Sequence, residues 1–227
     1  MRPVDRGAAP RNFTDYHQAR DPLIAAIGGY CSYCEMPCQF KIEHVLPWEN
    51  KHISLKLDWS NFLLTCDWCN LNKRSRQDAT PYHDPITARA RYLWPDQDNT
   101  ARAFNYLPTN QITIATGLTI SQVQLAKETQ HMVGLDKLKP DPRVQMRSEA
   151  WKAAQIFAVD YFACPTPEKR ELLVLAAKGH GFWSVWRTVF AADVDVLNAL
   201  NQAFVGTDPA SFDVTSAAPI ARHGGQV

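Results

Sequence analysis

Hydrophobic positions fall into two patterns along the chain, and they divide it. Beyond Gly117 the apolar residues recur at helical spacing between clear stops. Thr119 or Ser121 caps a predicted helix that runs to about Val133 and ends at Gly134. A second follows Pro142, from Arg143 to Ala163, and stops at Pro165. A third spans Glu168 to Lys178 before Gly179, and a fourth runs from Phe182 to Phe204 with a break near Ala192. Before Gly117 the runs are short and punctuated. Tyr16, Leu23, Ile24 and Ile27 allow one or two helical turns within Thr14–Ile27, broken near Pro22 and closed by Gly28-Gly29. Phe40 to Val45 reads as a strand, Ile53 to Leu57 as a possible second, and Cys66 to Arg76 as a helix. Short strands are predicted at Arg89–Trp94, Ala103–Leu107 and Gln111–Ala115, with Thr109-Asn110 as a hairpin turn between the last two.

The termini carry neither pattern. The first dozen residues hold Pro3, Gly7, Pro10 and three arginines and read as a loose arm. The Ala/Ser/Pro/Gly-rich stretch from Gly206 reads as a disordered tail. With 227 residues, 45% of them hydrophobic, the chain can build one large core or two small ones. Its 24 basic residues against 23 acidic ones announce no nucleic-acid binder, so any basic footprint must be local. No run approaches the ~18 apolar residues of a membrane span, and the start lacks an apolar export segment, so no membrane partner and a cytoplasmic location are expected.

Chemistry concentrates between residues 31 and 76. Two Cys-x-x-Cys pairs, Cys31/Cys34 and Cys66/Cys69, bracket the dipeptide Glu43-His44. In a reducing compartment such pairs read as ligands of a structural zinc, which four sulfurs enclose with no open position for chemistry. Cys38 is a less favoured substitute ligand, and Cys164 reads as a buried free thiol. Glu43 and Asn70 offer oxygen to an Mg²⁺- or Mn²⁺-like ion, and His44 offers a base for water. Adjacent strand residues point apart, so a turn or bulge must re-aim one member of the Glu43-His44 pair.

Glu43-His44 with Pro47, Asn61 ahead of an apolar triplet, and Cys66-x-x-Cys69-Asn70-x-x-Lys73 together resemble the HNH endonuclease family. The resemblance covers residues 31–76, about a fifth of the chain. It implies an α+β protein in which a small zinc-stapled ββα-metal core is embedded in mainly helical structure. It further implies Glu43 and Asn70 as ligands of the catalytic Mg²⁺ or Mn²⁺, His44 as general base, and Asn61 as the residue orienting it. Lys73, one helical turn beyond Asn70, and Arg74 and Arg76 are expected to contact phosphate, with DNA preferred to RNA. The order of elements around this core is loosely similar to the HNH nuclease subunit of Septu-type and retron-associated anti-phage systems, in which an ABC-type ATPase is the partner. The expected layout is an arm and helix (1–30), the nuclease core (31–76), an irregular segment (77–118), a helical region with a docking surface (119–205) and the tail (206–227). A zinc-containing binding or scaffold subunit without turnover is the alternative reading.

Overall fold

The computed structural model describes residues 1–37, 41–49, 52–138 and 140–227 apart from 78–83, and the side chains of 75–77 lie outside the description. Cys38, Phe40, His83 and the Arg76 side chain are therefore outside the described residues.

The chain opens with a 3₁₀ turn, Tyr16–Ala19, capped by Asp15, that leads into α1 (Arg20–Ile27). Pro22 sits in the first turn of α1, where a missing N–H costs nothing, so it starts the helix rather than breaking it. Next comes an antiparallel hairpin of β1 (Lys41–His44) and β2 (Phe62–Thr65), with Glu43 opposite Leu63 and His44 opposite Phe62. Helix α2 (Asp67–Gln77) follows β2 directly. Strand, strand and helix thus occur in the order the motif implies.

Two sequence expectations give way between these elements and the next. Ile53–Leu55 is a 3₁₀ turn and not a strand. Ile53 is 72% exposed and no described strand pairs with it, so its β-branched side chain has no pleated surface to fit. The expected strand Arg89–Trp94 is replaced by α3 (Pro85–Ala90), where the Asp84 side chain accepts from Thr87 N–H and Pro85 takes the first helical position. The hairpin of β3 (Phe104–Tyr106) and β4 (Ile112–Ile114) does form, with Asn110 at φ 66 in its turn.

The helical half consists of α4 (Ile120–Met132), α5 (Pro142–Ala163), α6 (Pro167–His180), α7 (Trp183–Val189) and α8 (Val194–Ala203). Thr119 and Gln122 form a reciprocal capping box on α4, and Asp141, Thr166 and Asp193 cap α5, α6 and α8. The expected stop at Gly179 lies inside α6, and Gly181, at φ 69, ends the helix instead. A Cβ on Gly181 would sit 2.7 Å from the Glu35 carbonyl oxygen, so only glycine lets the end of α6 approach the first cysteine pair this closely. Trp183 and Trp186 are buried in the core.

Both termini depart from expectation. Met1, Arg2 and Val4 are buried, and the tail packs as well: Val4 bridges Thr207, Phe212 bridges Pro219, and Val227 is buried. Arg2 explains much of this, because its Nη1 donates to the carbonyls of Phe204 and Val205 and its Nη2 to that of Ile27. Composition predicts disorder when a segment cannot bury enough surface, yet here arm and tail bury each other. Cys164 is exposed, at the C-terminal cap of α5, not buried.

Candidate zinc and nuclease site

Four thiols converge where the first knuckle meets β2 and α2. Cys31, Cys34, Cys66 and Cys69 are all buried, and their sulfurs lie within 4.8 Å of one another. Zinc–sulfur bonds of ~2.3 Å at tetrahedral angles put sulfurs about 3.8 Å apart. The Cys34–Cys66 sulfur separation is 3.7 Å. Four sulfurs this close together fit zinc, and they leave no coordination position for a reacting water. Burial pushes the Cys34 and Cys69 thiols well above the ordinary cysteine range, so zinc must displace protons to bind them.

A zinc ion with four thiolates carries two net negative charges, which must be compensated when buried. The Cys69 backbone N–H donates to Cys66 Sγ at 3.4 Å. Arg143 Nη1 donates to Cys69 Sγ at 3.1 Å and to the Val133 carbonyl at 2.9 Å, while its Nε and Nη2 bind Asp141 and Nη2 also the Gly134 carbonyl. Arg147, one turn further along α5, is also buried and feels the field of Cys34. Sequence reasoning missed both arginines; the only signal was their i, i+4 spacing after an Asp-Pro helix start.

The Glu43-His44 pair splits across β1. The ladder is regular through His44, so no bulge re-aims either side chain. Glu43 faces inward and is 2% exposed. Tyr33 Oη donates to Glu43 Oε1 at 2.5 Å, and Lys73 Nζ lies 2.9 Å from the same oxygen. Burial raises the Glu43 carboxyl above its ordinary value, with Lys73 and Tyr33 pulling it back. Glu43 Oε2 is buried with no hydrogen-bond partner. Tyr33 lies between the first two cysteines, a position that reads from sequence only as a knuckle residue.

Lys73 is the clearest correction among the expected site residues. Its ammonium is not presented to phosphate: the side chain is 5% exposed, and Nζ also donates to the His44 carbonyl at 2.8 Å. The reason is geometric, since a residue one turn past Asn70 on α2 faces the hairpin and its long side chain reaches β1. Arg74 does lie at the surface, 3.3 Å from the exposed Glu49 carboxylate. Arg6 and Arg89 turn inward onto Asp96.

His44 lies on the other face of β1, partly exposed. Its ring meets Tyr16 and Phe62 edge-on, at 4.9 and 5.1 Å between centroids, and Trp48 at 6.0 Å. His44 Nε2 is 3.0 Å from the Lys56 carbonyl. A carbonyl only accepts, so Nε2 carries the proton and Nδ1 keeps its lone pair. Desolvation lowers the His44 pKa, which keeps the ring neutral near pH 7.

Asn61 spans the loop that sets this geometry. Its Oδ1 accepts from Leu46 N–H at 2.8 Å, and its Nδ2 donates to the Leu46 and Leu55 carbonyls at 3.0 and 3.3 Å. Leu55 immediately precedes Lys56, whose carbonyl holds the imidazole. Asn70 is half-buried in the first turn of α2, and no described residue hydrogen-bonds its side-chain amide. Glu43 Oε2 and the Asn70 amide each offer an oxygen of the type Mg²⁺ or Mn²⁺ takes; Lys73 shares the Glu43 carboxylate, and no hydrogen bond among the described residues joins Glu43 to Asn70.

No described helix is long and apolar enough to cross a membrane. No curated protein matches the chain. The family model described as HNH endonuclease matches residues 31–76, the stretch that holds the four cysteines, the β1–β2 hairpin and α2, and this match supports a nuclease of the HNH family.

Proposed function

We propose that the protein is a metal-dependent endonuclease that hydrolyses nucleic-acid phosphodiester bonds with His44 as general base. The observation that carries this reading is the hydrogen bond from His44 Nε2 to the Lys56 carbonyl, which leaves Nδ1 unprotonated at a partly exposed face. Nδ1 takes the proton of the attacking water. Asn61 is a positioning residue: by tying Leu46 to Leu55 it holds the carbonyl that fixes the ring. Tyr16, Phe62 and Trp48 keep the ring neutral by shielding it from water. Glu43, through Oε2, and Asn70 would hold Mg²⁺ or Mn²⁺, which when bound supplies charge stabilisation at the phosphate. The four cysteines hold zinc as a fastener. Arg74 and Arg76 lie on α2 as phosphate contacts, and DNA is the preferred substrate over RNA.

The role in the cell is a finer proposal: an effector nuclease of an anti-phage complex in the cytoplasm, docked on an ABC-type ATPase. It rests on the loose likeness in element order. The exposed Ile156 and Val159 of α5 and Leu172 and Leu175 of α6 offer an apolar surface for such docking.

One observation favours a second reading, a zinc-containing binding or scaffold subunit without turnover: the Lys73 ammonium already neutralises Glu43. Cleavage of plasmid DNA and of a matched RNA, with and without added Mg²⁺ or Mn²⁺, separates the two. Metal-dependent cutting is expected. Zinc-loaded protein that binds but does not cut with either ion supports the second reading.

A further inference from the structure

A cavity of about 500 Å³ lies far from the cysteine cluster in sequence, walled by β3, α7 and residues 216–219. Arg187 forms part of its wall and is 8% exposed. Its guanidinium sits 5.0 Å from the Trp183 ring centroid and 4.6 Å from that of Phe212. It donates to Asn201 Oδ1 at 2.8 Å, to the Ala217 carbonyl at 2.6 Å and to the Leu197 carbonyl at 3.4 Å. All three acceptors are neutral. A guanidinium has five N–H groups; three are used, so two have no acceptor among the described residues.

The missing anion sets Arg187 apart. Among the described residues, the buried Arg2 and Arg143 each have a carboxylate within reach, Glu35 and Asp141, and Arg147 lies near the zinc-binding Cys34. No Asp or Glu lines the cavity, and no described carboxylate is within ion-pair reach of Arg187. A buried charge without a partner is costly. Trp183, which also lines the cavity, has a buried indole N–H without a partner among the described residues. The wall therefore holds a positive charge with no compensating anion, beside the side chains of Phe104, Tyr106 and Trp183.

We propose that this cavity binds a small phosphate-bearing molecule of nucleotide size, with its phosphate on Arg187 and its base against the aromatic wall. The volume lies within the ~300–1,000 Å³ of small-molecule sites. Phosphate accepts strongly from a guanidinium, and two Arg187 N–H groups have no other acceptor among the described residues. The site also has a route to the zinc knuckle. Ser184, one turn before Arg187, donates from its backbone N–H to Glu35 Oε2 at 2.8 Å and from Oγ to Oε1 at 2.6 Å. Glu35 follows the ligand Cys34 and is held at φ 67. An occupant that shifts α7 thus pulls on the residue next to the sulfur cluster.

Calorimetry on the full zinc-loaded chain, without added Mg²⁺ or Mn²⁺, tests this with adenosine 5′-monophosphate, inorganic phosphate and adenosine as probes. The monophosphate binds, phosphate binds more weakly and adenosine does not. Arg187→Gln weakens monophosphate binding by about tenfold or more. Ala191→Trp, at the exposed rim, fills the space without removing an Arg187 hydrogen bond and also blocks binding. It decides the matter alone if melting curves show that Arg187→Gln is unfolded. His44→Ala binds the monophosphate as the wild type does. The proposal is overturned if the monophosphate fails to bind at millimolar concentration, if adenosine binds as tightly, if the folded cavity variants bind like wild type, or if His44→Ala abolishes binding.

Discussion

The sulfur cluster and the Glu43-His44 strand are built on the same hairpin and helix, yet they are opposite kinds of site. The cluster is closed: four buried thiols, one fitting metal and two arginines that answer its charge. The other site is divided. Its carboxylate is inside with Lys73 and Tyr33, its imidazole is at a partly exposed face, and its amide is unpartnered. A closed site gives rigidity and resists loss of its metal. In the proposed nuclease, the divided arrangement leaves donors free for a substrate.

The comparison can be broken at the cluster first. Cys69→Ser removes one sulfur from the four, and structural zinc contributes on the order of 10 kcal/mol to such folds. The expected outcome is loss of both bound zinc and the cooperative melting transition, measured by metal analysis and calorimetry. Arg143→Met is next. It strips the Cys69 sulfur of its donor and leaves Asp141 buried and unpaired, at a cost of about 3–5 kcal/mol. Chelator competition should then extract zinc faster than from wild type.

The open site is sharpened by smaller changes. Asn61→Ala removes three hydrogen bonds that brace the loop, at about 1 kcal/mol each. It should lower kcat more than zinc content, since the cysteines do not touch it. The pH profile checks the protonation state. Because burial depresses the His44 pKa and the neutral ring is the active form, the rate should fall only as pH drops through a value below the ordinary histidine pKa of about 6.5. An acid limb centred above that value would contradict the shielding by Tyr16, Phe62 and Trp48.

The elements that sequence revealed best are those whose signals are local. Helices α4, α5, α6 and α8 announce themselves by cap residues and apolar spacing, and the four cysteines by their pairing. The Ile53–Leu57 strand failed because β-branched residues do not say whether a partner strand exists. The strand at Arg89–Trp94 failed because the Asp84-Pro85 cap outweighs the apolar run that follows. Arm and tail were illegible because each is ordered by residues distant in sequence: Met1 by Ser184, Arg2 by Ile27 and Phe204, and the tail by Asn99 and Arg187. At the site, the cysteines and the order of Glu43, His44, Asn61 and Asn70 are legible in the sequence, but Lys73 reads there as a phosphate contact and Glu43 only as a metal ligand. Their ion pair, the Tyr33 hydroxyl and the Arg143 contact to sulfur join residues 10 to 74 positions apart, which no local pattern encodes.

The central claim is that zinc fastens the core while His44 performs the chemistry. Zinc content and plasmid cleavage measured on one preparation of His44→Ala, with Mg²⁺ or Mn²⁺ supplied, test it most directly. The account predicts about one zinc per chain, as in wild type, and cleavage reduced by about 10²-fold or more. Undiminished cleavage by His44→Ala, or zinc lost together with the activity, would contradict it.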